Sequence, residues 1–232
     1  MKLKICGVTD AATYAMLEAQ GVDWIGLWFR MPEGKHTLDA ATLQRVLQGW
    51  SRRPTGMGAQ TGTQPVLVTL TAEPEWLWPV LDAHGLTQVQ LHGFQLPRSV
   101  QRLKQGRSDL RLFKTLHVQA GICLEERLID GYLEAGVDAF ILDTFASREQ
   151  VGSTGIRYEM EILARLCERY SQAQWLCAGG VTAGYLTELS QQLPMLSGVD
   201  VDSAARVAGQ IDAQAVAHLR TALDCVAHKQ AA

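Results

Sequence analysis

The sequence predicts an α/β protein, a single-domain (β/α)8 TIM barrel, on three observations. Apolar runs of strand length occur eight times, and amphipathic stretches of helix length lie between them. The chain of 232 residues, 47% hydrophobic and 19% charged, falls in the size range of such barrels and is long enough for one substantial core. Strands that alternate with helices pair in parallel through right-handed crossovers. An open doubly wound sheet would call for a dinucleotide fingerprint, and Gly-x-Gly-x-x-Gly follows none of these runs.

In chain order, the first run, Leu3 to Cys6, stops at Gly7, and a helix is expected from Ala11 to Gln20. Trp24 to Phe29 and a helix from Leu38 to Leu47 form the second unit, and Pro65 to Leu70 with Glu75 to Ala83 the third. Gln88 to Leu91 leads to Pro97 to Lys104, and Leu110 to Thr115 to Leu124 to Ala135. Ala139 to Asp143 precedes Glu159 to Tyr170, Trp175 to Ala178 precedes Tyr185 to Gln192, and Gly198 to Val201 precedes Asp212 to Ala227. Two stretches interrupt the spacing of what is otherwise one domain over residues 1–232. Ser51 to Gln64 is rich in Gly, Thr and Gln and predicts a long flexible loop on the helix-to-strand side, the stability face of a barrel. Thr144 to Ile156, polar and ending in Gly152-Ser-Thr-Gly155, lies on the strand-to-helix side and is a candidate lid.

A net charge of −3 with scattered Lys and Arg provides no basic stripe, so no nucleic-acid partner is expected, whereas a phosphorylated small molecule needs only a local site. The chain enters a strand almost at once and has no bilayer-length apolar run, which reads as a cytoplasmic protein with no membrane partner. Five cysteines, odd in number and without Cys-x-x-Cys or Cys/His spacing, read as reduced thiols; neither a disulfide framework nor a metal site is expected.

The chemistry concentrates at strand C-terminal ends. Asp143 closes the apolar run Asp138-Ala-Phe-Ile-Leu-Asp143, where a carboxylate needs a partner or a task. Cys6 closes the first run and is a candidate base or nucleophile if neighbouring cations lower its pKa, the alternative being a small buried hydrophobe. Acid and base then face one substrate. Gly179-Gly180 after strand seven and Asp200-Val-Asp-Ser203 after strand eight occupy loops that bind phosphate in many barrels, although paired glycines also serve plain tight turns. His92, in Gln90-Leu-His-Gly93, sits on the same face or is a packing residue.

Taken together, Lys4-Ile-Cys-Gly-Val-Thr9, Gly21-Val-Asp-Trp-Ile-Gly26, Val89-Gln-Leu-His-Gly93, Ile141-Leu-Asp143, Gly152-Ser-Thr-Gly155, Ala178-Gly-Gly180 and Gly198-Val-Asp-Val201 occur in the order found in the phosphoribosylanthranilate isomerase family, which the chain resembles along nearly its whole length. The resemblance implies a cofactor-free Amadori rearrangement of N-(5-phosphoribosyl)anthranilate by a monomer or homodimer. By position, Asp143 matches the general acid that opens the sugar ring and Cys6 the base that removes the C2 proton. The resemblance also implies phosphate binding around Gly179, Gly180 and Ser203, with Asp200 and His92 in the substrate shell and the loop at Gly155 closing over the ligand. Where the family has Ser-x-Arg after strand two, this chain has Gly34-Lys-His36, so His36 takes the position of the Arg near the anthranilate carboxylate, with Lys35 beside it. Where the family has Asp-Val-Ser-Ser-Gly-Val-Glu, this chain has Asp200-Val-Asp-Ser-Ala-Ala-Arg206, with Asp202 expected to repel a phosphate and Arg206 to compensate. The alternatives are a paralogue acting on another aminated phosphosugar and a noncatalytic sugar-phosphate binding barrel.

Overall fold

The computed structural model describes residues 1–48, 50, 62–119, 121–144 and 160–230. Eight parallel strands close into a barrel: β1 Lys2–Cys6, β2 Trp24–Trp28, β3 Gln64–Thr69, β4 Gln88–Leu91, β5 Arg111–Gln119, β6 Ala139–Thr144, β7 Gln174–Cys177 and β8 Gly198–Val201. Each pairs with its successor, and β8 returns to β1 with Lys4 opposite Asp200. The α-helices among the described residues are α1 Ala11–Ala19, α2 Ala40–Leu47, α3 Pro74–His84, α4 Pro97–Gly106, α5 Ile129–Glu134, α6 Met160–Arg169, α7 Ala183–Gln192 and α8 Ala213–Gln230. Several begin on the side chain their sequence supplies for a cap. Asp10 accepts from the Thr13 amide, Asp39 from Thr42, and Asp212 from Ala215.

Because successive strand residues point to opposite faces, each strand feeds two cores. Trp24, Val66, Phe113, Ala139, Ile141, Leu176 and Ala178 fill the inside of the barrel, with the Trp24 and Phe113 rings edge to face at 5.3 Å. Residues of the other parity, such as Leu3, Ile5, Leu112 and Phe140, join the larger core beneath the helices. Toward the end where the strands finish, the same inward parity carries the buried polar Gln90, His92, His117, Asp143 and Asp200 beside the apolar Trp28 and Val68.

Two expectations need correction. β5 runs past Thr115 to Gln119, then turns at Gly121 (φ 71°) so that Ile122–Cys123 pair back antiparallel to Val118 and Gln119. The strand continues because Leu116 and Val118 keep its outer face apolar while His117 finds a buried partner inside. The helix expected from Leu124 is a 3-10 turn, Glu126–Leu128, leading into α5, since Glu125 turns inward and is 3% exposed. Of the expected long loop, residues 51–61 lie outside the described residues, and Gln64 already opens β3. The candidate lid, including Gly155, also lies outside them except for Thr144, which is in β6.

Candidate active site

Lys4 and Cys6, two apart on β1, project to the same inner face. Lys4 is fully buried, and its Nζ donates to both carboxylate oxygens of Asp200 at 2.9 Å. The same ammonium donates to Cys6 Sγ at 3.3 Å, and Trp28 Nε1 donates to that sulfur at 3.0 Å. Space for this cluster comes from Gly26, which pairs in register with Cys6. A Cβ there would lie 2.7 Å from Sγ and 2.9 Å from Lys4 Nζ.

Two N–H groups aimed at the sulfur favour a thiolate, but burial works against it more strongly. With Asp200 and Asp202 adding to the effect of burial, the Cys6 pKa is pushed up to about 12 against the pull of Lys4 and Trp28. The neighbouring cation that the sequence makes a condition for a thiolate is present, and desolvation outweighs it. Lys4 itself stays above its ordinary value, because Asp200 and Cys6 overcome the cost of burying the ammonium.

Asp143, near the end of β6, is 4% exposed and has His92 Nε2 4.0 Å from its Oδ2, beyond hydrogen-bond reach. Burial, reinforced by His117, Lys114 and Lys4, holds His92 well below the usual imidazole range, so the ring is neutral. Gln90 Nε2, which can only donate, lies 3.4 Å from Nδ1. Thr115 Oγ1 lies 3.5 Å from the same ring nitrogen, while Nε2 is the ring atom on the Asp143 side.

Behind His92 lies a group that the sequence reading missed. His117 is fully buried, with Nδ1 2.7 Å from Glu125 Oε1, and its amide donates to Oε2 at 2.9 Å. Lys114 donates to the Gly93 carbonyl at 2.8 Å and lies 3.6 Å from Glu125; burial brings it down to about 8 although Glu125 opposes. The available signal was Lys114, Thr115 and His117 interrupting a strand otherwise apolar at its centre. Lys4 carried a comparable one, a charge two residues before Cys6.

One pocket at the C-terminal end of the barrel is lined by Cys6, His92, Asp143, Gly180, Asp200 and Ser203, with Gly179 beside them. Gly179 and Gly180 adopt left-handed φ values of 79° and 66°, a conformation that favours glycine. Asp202 is paired with Arg206, the residue expected to compensate it: Arg206 Nε donates to its Oδ1 at 2.6 Å. His36 and Lys35 are not among the lining residues. The His36 ring packs edge to face on Trp28 at 5.4 Å, with its pKa lowered by burial and by Arg206, while Lys35 is exposed.

A closed parallel barrel with an acidic side chain, a thiol and a glycine turn converging at its C-terminal mouth defines a barrel with an enzyme-type site. The sequence profile of the family described as "PRAI: N-(5'phosphoribosyl)anthranilate (PRA) isomerase" matches residues 60–221. The N-(5'-phosphoribosyl)anthranilate isomerase of Brevibacillus brevis is 32% identical over 217 residues, covering 93% of this chain and 90% of the relative; that of a Synechococcus strain is 31% identical, covering 94% and 88%. The chain belongs to the N-(5'-phosphoribosyl)anthranilate isomerase family. Among solved structures, the phosphoribosyl anthranilate isomerase of Thermotoga maritima superposes with a TM-score of 0.76 at 20% identity, covering 97% and 99% of the two chains. A further isomerase structure, in complex with reduced 1-(o-carboxyphenylamino)-1-deoxyribulose 5-phosphate, gives 0.71 at 18%, again covering 97% and 99%.

Proposed function

We infer that this chain is an isomerase that converts N-(5-phosphoribosyl)anthranilate to 1-(2-carboxyphenylamino)-1-deoxyribulose 5-phosphate, an internal aldose-to-ketose oxidoreduction that needs no cofactor. The observation that carries the reading is the meeting of a thiol on β1 and a carboxyl on β6 in one pocket of a chain 32% identical to a named isomerase. Asp143 gives a proton to the furanose oxygen, and the C1–O bond breaks to leave an iminium ion. That cation acidifies the C2 proton, which Cys6 removes to form an enolamine, and tautomerisation yields the ketone. Burial disfavours the Cys6 thiolate and the positive iminium favours it, so the thiol releases its proton to solvent once the iminium forms and then takes the C2 proton as a thiolate. Main-chain groups around Gly179, Gly180 and Ser203 hold the phosphate, and the neutral His92 lies beside Asp143 in the substrate shell. The protein works in the cytoplasm on this phosphorylated small molecule, as a monomer or homodimer.

The test is loss of substrate fluorescence when purified protein meets freshly generated phosphoribosylanthranilate. Asp143→Asn and Cys6→Ser should each lower kcat by about 10² to 10⁴, and a variant keeping more than about a third of wild-type activity removes that residue from the chemistry.

A further inference from the structure

The turn that presents Cys6 is held from two sides. From β2, the Gly26 carbonyl accepts the amides of Gly7 at 3.0 Å and Val8 at 3.2 Å. From the far end of the chain, Arg206 Nη2 donates to the carbonyls of Gly7 at 2.9 Å and Cys6 at 3.3 Å. Arg206 is itself fixed: its Nε meets Asp202 at 2.6 Å, and its Nη1 meets the Gly209 carbonyl at 3.1 Å. It sits on a two-residue hairpin, Arg206–Val207 against Gln210–Ile211, that turns through Ala208 and Gly209 at positive φ. The Arg206 and Asp202 side chains are only 9% and 6% exposed. The fit against the turn is close, since a Cβ on Gly7 would lie 2.7 Å from Arg206 Nη2. A planar guanidinium with five donors can address a carboxylate and several carbonyls at once; an ammonium on a flexible stem cannot match that geometry.

We propose that Arg206, clamped by Asp202, is a positioning residue of the isomerisation, holding the Cys6–Gly7 turn so that the thiol stays aligned with the substrate carbon it deprotonates. The proposal rests on the reading of Cys6 as the base. Among the charged groups facing the sulfur, Lys4 and Asp200 pair with each other, whereas Asp202 loses its guanidinium partner when Arg206 is changed, so exchange at Gly7 and Val8 is the readout that reports the turn itself.

The test uses Arg206→Met in the full chain, with three readouts. Amide exchange in the peptide covering Gly7 and Val8 reports the turn, steady-state kinetics report catalysis, and substrate deuterated at the sugar C2 reports the proton-abstraction step. The expected result is faster exchange, a larger deuterium isotope effect, and kcat lower by about 10- to 100-fold with KM within about threefold, because a small misplacement of a reacting group acts on the chemical step. A purely structural role would lower thermal stability without moving the isotope effect, and that outcome overturns the proposal. So does unchanged exchange at Gly7 and Val8, or a kcat within about twofold of wild type. If Arg206→Met does not fold, Arg206→Lys carries the test; it should show the same changes to a smaller degree, and wild-type values in all three readouts overturn the idea. Failure of the underlying reading shows separately, as Cys6→Ser retaining more than about a third of wild-type activity.

Discussion

Replacing Lys4 by Met removes the cation from a buried ion pair. Lys4 is wholly buried, Asp200 is 8% exposed, and the two contacts between them are both 2.9 Å. Breaking such a pair by deleting one partner leaves an uncompensated buried charge and costs about 3–5 kcal/mol. The lost cation was also what opposed the effect of burial on the Asp200 carboxyl, so its pKa rises further in the variant. Burial already holds this carboxyl above its ordinary value even with Lys4 opposing, so the direction is set. A group whose folded pKa is raised contributes stability that is complete below its unfolded pKa and lost as pH rises through the folded one. The penalty in Lys4→Met should therefore be larger at pH 8 and smaller at pH 5, as the folded state protonates Asp200 more readily at the lower pH. Urea unfolding of wild type and variant at both pH values measures it. The double variant Lys4→Met/Asp200→Leu, which removes both charges, should regain most of the loss at pH 8. A penalty under about 1 kcal/mol at pH 8, or one equal at the two pH values, would refute the argument that this pair is desolvated and mutually dependent.

Alkylation of Cys6 by iodoacetamide, followed by mass spectrometry, should rise about tenfold per pH unit from 7 to 10 without a plateau, since burial places the thiol near 12; a plateau below pH 9 would mean a ready thiolate. Gly26→Ala should cost about 1–3 kcal/mol in urea unfolding and depress kcat, because the new methyl group must displace Sγ and Lys4 Nζ; wild-type kcat would show that the cluster has slack. His36→Arg should lower KM for phosphoribosylanthranilate, a charge-assisted contact to the substrate carboxylate contributing about 1.5 to 3 kcal/mol. Unchanged KM would show that another group already holds that carboxylate, and a gain on this substrate from a poor wild type would point to a different natural aglycone.

The fold was legible in the sequence because its determinants are local. Strand-length apolar runs and amphipathic helix-length stretches repeat along the chain, and the ends of Cys6 and Asp143 on their strands follow from where those runs stop. His92, Gly179, Gly180, Asp200 and Ser203 were legible for the same reason, as residues directly at or after strand ends, and they line the same pocket as Cys6 and Asp143. What tertiary structure alone decided is how these residues are charged and held. Lys4 and Asp200 are 196 residues apart in the chain, and Arg206 reaches back 200 residues to the Cys6 carbonyl. The extension of β5 depended on Glu125 turning inward to His117, which no periodicity announces. The sequence left open whether Cys6 is a thiolate or a buried thiol, because a pKa is a balance between desolvation and nearby charge, and both exist only once the barrel has closed around the sulfur.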